Sequence, residues 1–259
     1  NESEERDRET PALPKGQAEL IKAVLKANRR TVVVVIAGSY VDMNAWLDEA
    51  EAVLFCYYSG EKIGQGIAEV LFGKVNPAGK LPISWPKSIS QYPEGSIYLG
   101  PPYSESGKDN VYSEGVFVGY RWFDRHNEDV LFPFGFGLSY TDFVYKDLKV
   151  TPSRSSAGEP VQVSFSVRNT GKVEGDEIVQ LYVRDLVSGV ERPVRELKGF
   201  KRVALKSGER KTVEFVLNDD AFSYYSVEHS GWYVEPGEFE IQVGASSRDI
   251  RLKAVQEIL

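Results

Sequence analysis

Cysteine, methionine and histidine are nearly missing from this chain: one Cys, one Met and two His stand among 259 residues. A single thiol excludes an intrachain disulfide. Cys56 lies in the apolar run AVLFCYY and reads as a buried, inert side chain, since a nucleophilic thiol needs a nearby base. His126 and His229 stand alone in polar loops, with no Cys or clustered acids at ligand spacing, so the sequence offers no metal site. Positive charge is also in deficit. Lys and Arg number 31 against 38 Asp and Glu, a net charge of −7, which argues against nucleic acid as a partner. No apolar run approaches the ~18 residues of a membrane span; the longest, Thr31 to Gly38, is strand-sized. There is no Gly-x-Ser-x-Gly elbow, and GEKIGQG at 60–66 fits neither the Walker nor the dinucleotide spacing, so no cofactor is implied. Scarce cysteine leaves the compartment open between periplasmic or secreted and cytoplasmic, for a soluble protein. The opening NESEERDRET is neither a leader peptide nor a methionine start and reads as the product of a cut.

What is present suffices for packed cores: 42% of residues are apolar and 12% aromatic. Between residues 17 and 73 helix and strand periods alternate. QAELIKAVLKAN places Leu20, Ile21, Val24 and Leu25 on one helical face, and TVVVVIAG is a β-branched run expected to be covered on both faces of a parallel sheet. A second apolar run at 52–58 precedes KIGQGIAEVLFG, with Ile63, Ile67, Val70 and Leu71 at helical spacing and Gly73 as C-terminal cap. This is an α/β layer, and two strands do not complete such a sheet, so other strands are expected from absent chain.

Proline at 77, 82, 86, 93, 101 and 102 forbids long helices and central strands in the middle of the chain. From about Tyr140 the period becomes two: VQVSFSVRN, IVQLYV, KTVEFVL and EFEIQVGA alternate, separated by NTGK, KSGER and EPGE turns. About seven short strands of this kind predict an antiparallel sandwich, and without a Cys…Trp…Cys pattern it is not antibody-type.

Two segments are distinctive: NPAGKLPISWP at 76–86 and the aromatic, glycine-rich YSEGVFVGYRWFDRHNEDVLFPFGFGLSYT at 112–141. Together they resemble the second half of glycoside hydrolase family 3 β-glucosidases, over nearly the whole chain. The resemblance implies α/β plus all-β architecture: residues 1–95 as the C-terminal part of an α/β sandwich domain, 96–139 as an irregular bridge, and 140–259 as a fibronectin type III-like domain. Retaining glycosidases use two carboxyls about 5 Å apart, a nucleophile and an acid/base. In this family the nucleophile is an aspartate in a Ser-Asp-Trp context on an N-terminal barrel, and no such tripeptide exists here. The acid/base comes from a pattern close to E-G-x-D-R followed by L-x-L-P. Here Glu4-Glu5-Arg6-Asp7-Arg8 precedes Ala12-Leu13-Pro14 and Gln17. Carried over, Glu4 matches the acid/base, Asp7 and Arg8 the D-R pair, and Pro14 and Gln17 the start of the helix. Glu5 departs from the usual glycine; a carboxylate there would raise the pKa of Glu4. On composition alone, Glu2, Glu4, Glu5 and Glu9 form a charged terminal run, and such runs are usually solvated.

Other candidates are weaker. YYSGEKIGQG at 57–66 matches a family segment usually closer to P-G-Q-E-x-G; Glu61 is its one polar candidate, in a loop after a parallel strand where ligands bind in open α/β sheets. Tyr112, Trp122, Phe123, Phe134 and Phe136 could stack on sugars, but read chiefly as packing between domains, with Arg121 and Arg125 neutralising Glu114 and Asp124. The implied function is the C-terminal portion of a retaining exo-β-glycosidase, a β-glucosidase foremost, supplying Glu4 to a (β/α)8 barrel on another chain and acting on a β-glucoside or oligosaccharide. A homo-oligomer of the assembled enzyme stays open. The alternative is a non-catalytic carbohydrate-binding or adhesion module, which would display an exposed aromatic platform.

Overall fold

The computed structural model describes residues 10–93 and 114–259. Contacts divide the chain into two compact units, Asn1–Val75 with Trp85–Gly115, and Asn76–Ser84 with Val116–Leu259.

In the first unit, helix α1 (Gln17–Ala27) starts where Gln17 N–H donates to the Pro14 carbonyl at 3.1 Å. Strands β1 (Val32–Ile36) and β2 (Ala52–Cys56) pair in parallel, Val32 opposite Ala52 through Ile36 opposite Cys56. Helix α2 (Ile63–Leu71) ends as its sequence requires. Gly73 sits at φ 71°, with Gly73 N–H on the Val70 carbonyl and Lys74 N–H on the Glu69 carbonyl, the paired bonds of a glycine-terminated helix. A two-residue strand, β3 (Trp85–Pro86), follows.

The expectation that β1 is covered on both faces is corrected. Val33 and Val35 are buried, whereas Val32, Val34 and Ile36 are 44%, 36% and 53% exposed. The helix α1 stripe is split likewise: Leu25 is buried, but Leu20 and Val24 face solvent. The β-branched run specifies two covered sides and the apolar stripe one continuous covered face, and the described residues supply only part of that cover.

In the second unit β4 (Val130–Phe132) follows the short helix α3 (Tyr120–Arg125). The strands β5 (Phe143–Thr151), β6 (Arg154–Ser155), β7 (Val161–Asn169), β8 (Gly175–Asp185), β9 (Glu196–Leu205) and β10 (Arg210–Leu217) come next. The hairpin of β11 (Tyr224–Ser226) and β12 (Gly231–Tyr233) precedes β13 (Gly237–Gly244) and β14 (Ile250–Ile258). One sheet is ordered β10-β7-β5 and the other β6-β14-β13-β8-β9, and only the β6–β14 pair runs parallel. Val161, Val163, Phe165 and Val167 of β7 meet Val179, Leu181, Ile241 and Val243 in the core. This is the antiparallel sandwich that period-two alternation demands.

Strand β8 breaks the alternation, because Gln180 and Tyr182, on its other side, are buried too. The glycine-rich segment covers them: Gln180 Nε2 donates to the Gly135 and Ala245 carbonyls, and Tyr120 packs edge-on to Tyr182. Asn76 fastens the other distinctive segment. Its Nδ2 donates to the Glu174 carbonyl at 3.0 Å, and its Oδ1 accepts from Ser139 Oγ at 2.9 Å and Tyr140 N–H at 2.8 Å.

Candidate functional site

Because β1 and β2 are parallel, the loops leaving them, 37–46 and 57–62, leave from their carboxyl ends, where open α/β sheets bind ligands. Asp42 N–H donates to the Pro11 carbonyl at 2.9 Å, tying the segment that follows the acidic N-terminal run to the β1 loop. Glu4, Asp7, Arg8 and Tyr112 lie outside the described residues. Pro11 is seven residues downstream of Glu4.

The β1 loop is rigid by construction. Its own Tyr40, Val41, Met43 and Trp46 are buried. Asp42 Oδ1 accepts from Asn44 N–H at 2.9 Å and Asn44 Nδ2 at 2.8 Å, and that amide also reaches the Lys87 carbonyl at 2.6 Å. Trp85 meets Phe55 edge-on at 4.7 Å and Tyr40 at 5.6 Å. Burial first, then Asp42 and Tyr92, push the Tyr40 hydroxyl up to about 12. Burial likewise raises Tyr57 and the Cys56 thiol. Tyr40, Tyr57 and Cys56 are therefore protonated at neutral pH and cannot serve as bases or thiolate nucleophiles. Asp42 is committed to capping its loop, and Glu61 stands exposed in the turn before α2.

The aromatic candidates of the second unit pack internally. Phe123 is buried, Tyr120 stacks on Phe134 at 4.9 Å, Phe132 on Phe136 at 5.0 Å, and Trp122 against His126 at 4.0 Å. None of these singled-out rings is fully exposed. The expected ion pairs are corrected: Arg121 pairs with Glu196 at 3.4 Å, Arg125 with Glu191, and Asp124 with Arg248 at 3.1 Å and Arg195 at 3.4 Å. The partners come from the β8–β9 connection, the first residue of β9 and the β13–β14 turn, too distant in sequence for local charge pairing to reveal. The histidines are also not isolated. His126 Nδ1 lies 2.9 Å from the Trp122 carbonyl, and His229 stacks on Tyr233 at 4.3 Å. Among the described residues no group of three or more His, Cys, Asp or Glu could hold a metal ion.

Two features escaped sequence reading. Arg192 is a hub, donating to Asp185 and Glu196 at 3.1 Å each and to the Phe222 and Ser223 carbonyls. A cleft of about 430 Å³ is lined by Lys80, Ser139, Glu177, Asp249 and Arg251. Its charges are already partnered. Lys80 Nζ donates to the Gly137 carbonyl and lies 3.7 Å from Glu177, which also accepts from Tyr145 Oη at 2.7 Å; Arg251 pairs with Asp249. Burial lowers the Lys80 pKa against the pull of Glu177. No helix among the described residues is long and apolar enough to cross a membrane.

Comparison with known proteins follows the same division. A glycosyl hydrolase family 3 C-terminal domain matches residues 1–120, and a fibronectin type III-like domain matches residues 177–247. Thermostable beta-glucosidase B of Acetivibrio thermocellus is 47% identical over 254 residues, covering 97% of this chain and 33% of that protein. A beta-glucosidase of Kluyveromyces marxianus is 45% identical, covering 96% of this chain and 28% of that protein. Among solved structures, the GH3 beta-glucosidase of Bifidobacterium adolescentis superposes with a TM-score of 0.90 at 40% identity, over 99% of this chain and 37% of that one. The Kluyveromyces marxianus enzyme in complex with glucose gives 0.85 at 41% identity, over 98% and 30%. The chain thus spans about a third of the length of the relatives it matches. It carries the glycosyl hydrolase family 3 C-terminal domain, an α/β segment, followed by a fibronectin type III-like domain, and is similar to the C-terminal part of β-glucosidases.

Proposed function

We propose that this chain is the C-terminal portion of a retaining exo-β-glycosidase, a β-glucosidase, and that Glu4 is its general acid/base. The observation that carries the reading is 47% identity to a β-glucosidase across 97% of the chain. Two structural features support it. The segment downstream of Glu4 is tied to the carboxyl edge of the sheet through Pro11 and Asp42, and one side of the α/β layer displays uncovered Val32, Val34 and Ile36. On this reading residues 1–95 complete an α/β sandwich domain with chain lying outside these 259 residues, 96–139 bridge, and 140–259 form the fibronectin-like domain. The nucleophilic aspartate belongs to a (β/α)8 barrel, also outside these residues.

Turnover is a double displacement. Glu4, protonated, gives its proton to the glycosidic oxygen as the barrel aspartate attacks the anomeric carbon, and the aglycone leaves as an alcohol. The Glu4 carboxylate then takes a proton from the water that attacks the glycosyl-enzyme bond, releasing the sugar with its anomeric configuration retained.

The test is complementation with the remaining N-terminal two thirds of the Acetivibrio thermocellus relative. Aryl β-glucoside hydrolysis is expected from the combined polypeptides and not from the 259-residue chain alone. Native-rate hydrolysis by the chain alone overturns the reading.

A further inference from the structure

Hairpin β11–β12 presents its two faces very differently. On the inner face Tyr224 and Tyr233 pair edge-on at 5.9 Å, and the Arg192 guanidinium lies 5.6 Å over Tyr224. Arg192 also holds the Phe222 and Ser223 carbonyls that lead into the hairpin. At the turn Ser226 Oγ accepts from His229 N–H at 3.2 Å and sits 2.9 Å from His229 Nδ1, while the imidazole stacks on Tyr233. The outer face carries the remaining cross-strand pair. Tyr225 and Trp232 meet edge-to-face at 6.0 Å and are 57% and 76% exposed.

We propose that Tyr225 and Trp232 form a stacking site for the neutral pyranose rings of a β-linked gluco-oligosaccharide, separate from the chemistry assigned to Glu4. Three arguments select this occupant. The hairpin is braced from behind, so the rings are presented with little conformational freedom left to lose, and Tyr and Trp add a polar edge to a large apolar area. The area is wrong for a protein partner: two aromatic side chains expose roughly 300 Å² together, against about 800 Å² per partner in a stable protein interface. It suits one or two sugar rings. Charge points the same way. Glu228 lies in the turn, and Arg192, the cation behind the hairpin, is almost wholly buried and engaged, which disfavours anionic ligands and suits neutral hydroxyls. That the sugar is glucose rests on the β-glucosidase reading.

The 259-residue chain should be retarded in native gels containing soluble mixed-linkage β-glucan. Cellopentaose at millimolar concentration should shift the Trp232 indole N–H resonance in the wild-type chain. Trp232→Ala should weaken retention about tenfold, Tyr225→Ala severalfold, and Trp232→Phe should keep part of it. The wild-type resonance decides the matter even if a variant misfolds. An unmoved Trp232 signal, or equal retention of wild type and Trp232→Ala, overturns the site. So does wild-type self-association that Trp232→Ala abolishes, which would make the pair an interface between copies. Aryl β-glucoside hydrolysis by the complemented enzyme should be unchanged in Trp232→Ala, which separates the two proposals. Binding without restorable hydrolysis sinks the catalytic reading alone, and hydrolysis without binding sinks this one alone.

Discussion

The backbone of Gly135 lies flush against the side-chain amide of Gln180: its carbonyl accepts from Gln180 Nε2 at 3.2 Å, and a Cβ on Gly135 would fall 2.2 Å from Gln180 Oε1. Gly135 also sits at φ 81°, in the left-handed region. Gly135→Ala therefore combines overpacking of about 1–3 kcal/mol with a backbone penalty of about 1 kcal/mol. Denaturant unfolding should show a loss of at least about 2 kcal/mol. A loss below about 0.5 kcal/mol would mean that this segment does not seal the outer side of β8.

Asp124 offers a pH-dependent prediction. Burial raises its pKa above the ordinary carboxylate value, outweighing the Arg195 and Arg248 guanidiniums beside it. The native state then holds the proton over a range where the unfolded chain, with a pKa near ~3.9, has released it. The contribution of this group to stability is full below about pH 4 and is lost as pH rises through the folded-state pKa. Unfolding free energy of wild type minus Asp124→Asn should fall across that window and then level off. A difference that rises with pH would show that the two guanidiniums outweigh burial.

The sandwich was readable because its signal is local. Val161, Val163, Phe165 and Val167 alternate within one strand, and Asn169 to Lys172 and Lys206 to Arg210 mark turns by residue type. The Gly73 helix cap is equally local. The ion pairs failed for the opposite reason: Asp124 finds Arg248, 124 residues away. The coverage of β1 failed because a strand's composition reports how many sides it buries in the finished fold, not whether these residues supply both. The Tyr225–Trp232 pair was visible as YYS and GWY around a short polar turn, yet nothing in the spelling says which ring faces outward.

The uncovered side of β1 leads to a contrast between neighbours. Ile36→Lys changes an exposed position and should cost the isolated chain less than about 1 kcal/mol. Val35→Ala, on the buried side, should cost about 2 kcal/mol. In complementation with the N-terminal part of a relative the ranking should invert, Ile36→Lys abolishing assembly through a buried unpaired charge. Equal assembly of Ile36→Lys and wild type would show that this side is not where the rest of the α/β domain docks.

Glu4 carries the last prediction. As acid/base it protonates the leaving group and later deprotonates water, so Glu4→Gln in the complemented enzyme should slow poor leaving groups by about 10²–10⁴. Activated aryl glucosides leave without a proton, so their glycosylation survives while deglycosylation, lacking a base, becomes limiting. Azide should then restore turnover of the activated substrate, because it attacks the glycosyl-enzyme without general-base help, and the product should be the glycosyl azide with retained configuration. Glu2→Gln and Glu5→Gln should show neither leaving-group dependence nor rescue. Glu5→Gln should shift the alkaline limb of the kcat/KM pH profile downward, since a neighbouring carboxylate raises the pKa of Glu4, which must be protonated to act as the acid. Rescue at Glu5 or Glu2 instead would move the assignment by one or two residues along NESEERDRET, and rescue at none of the three would place the acid/base outside this run.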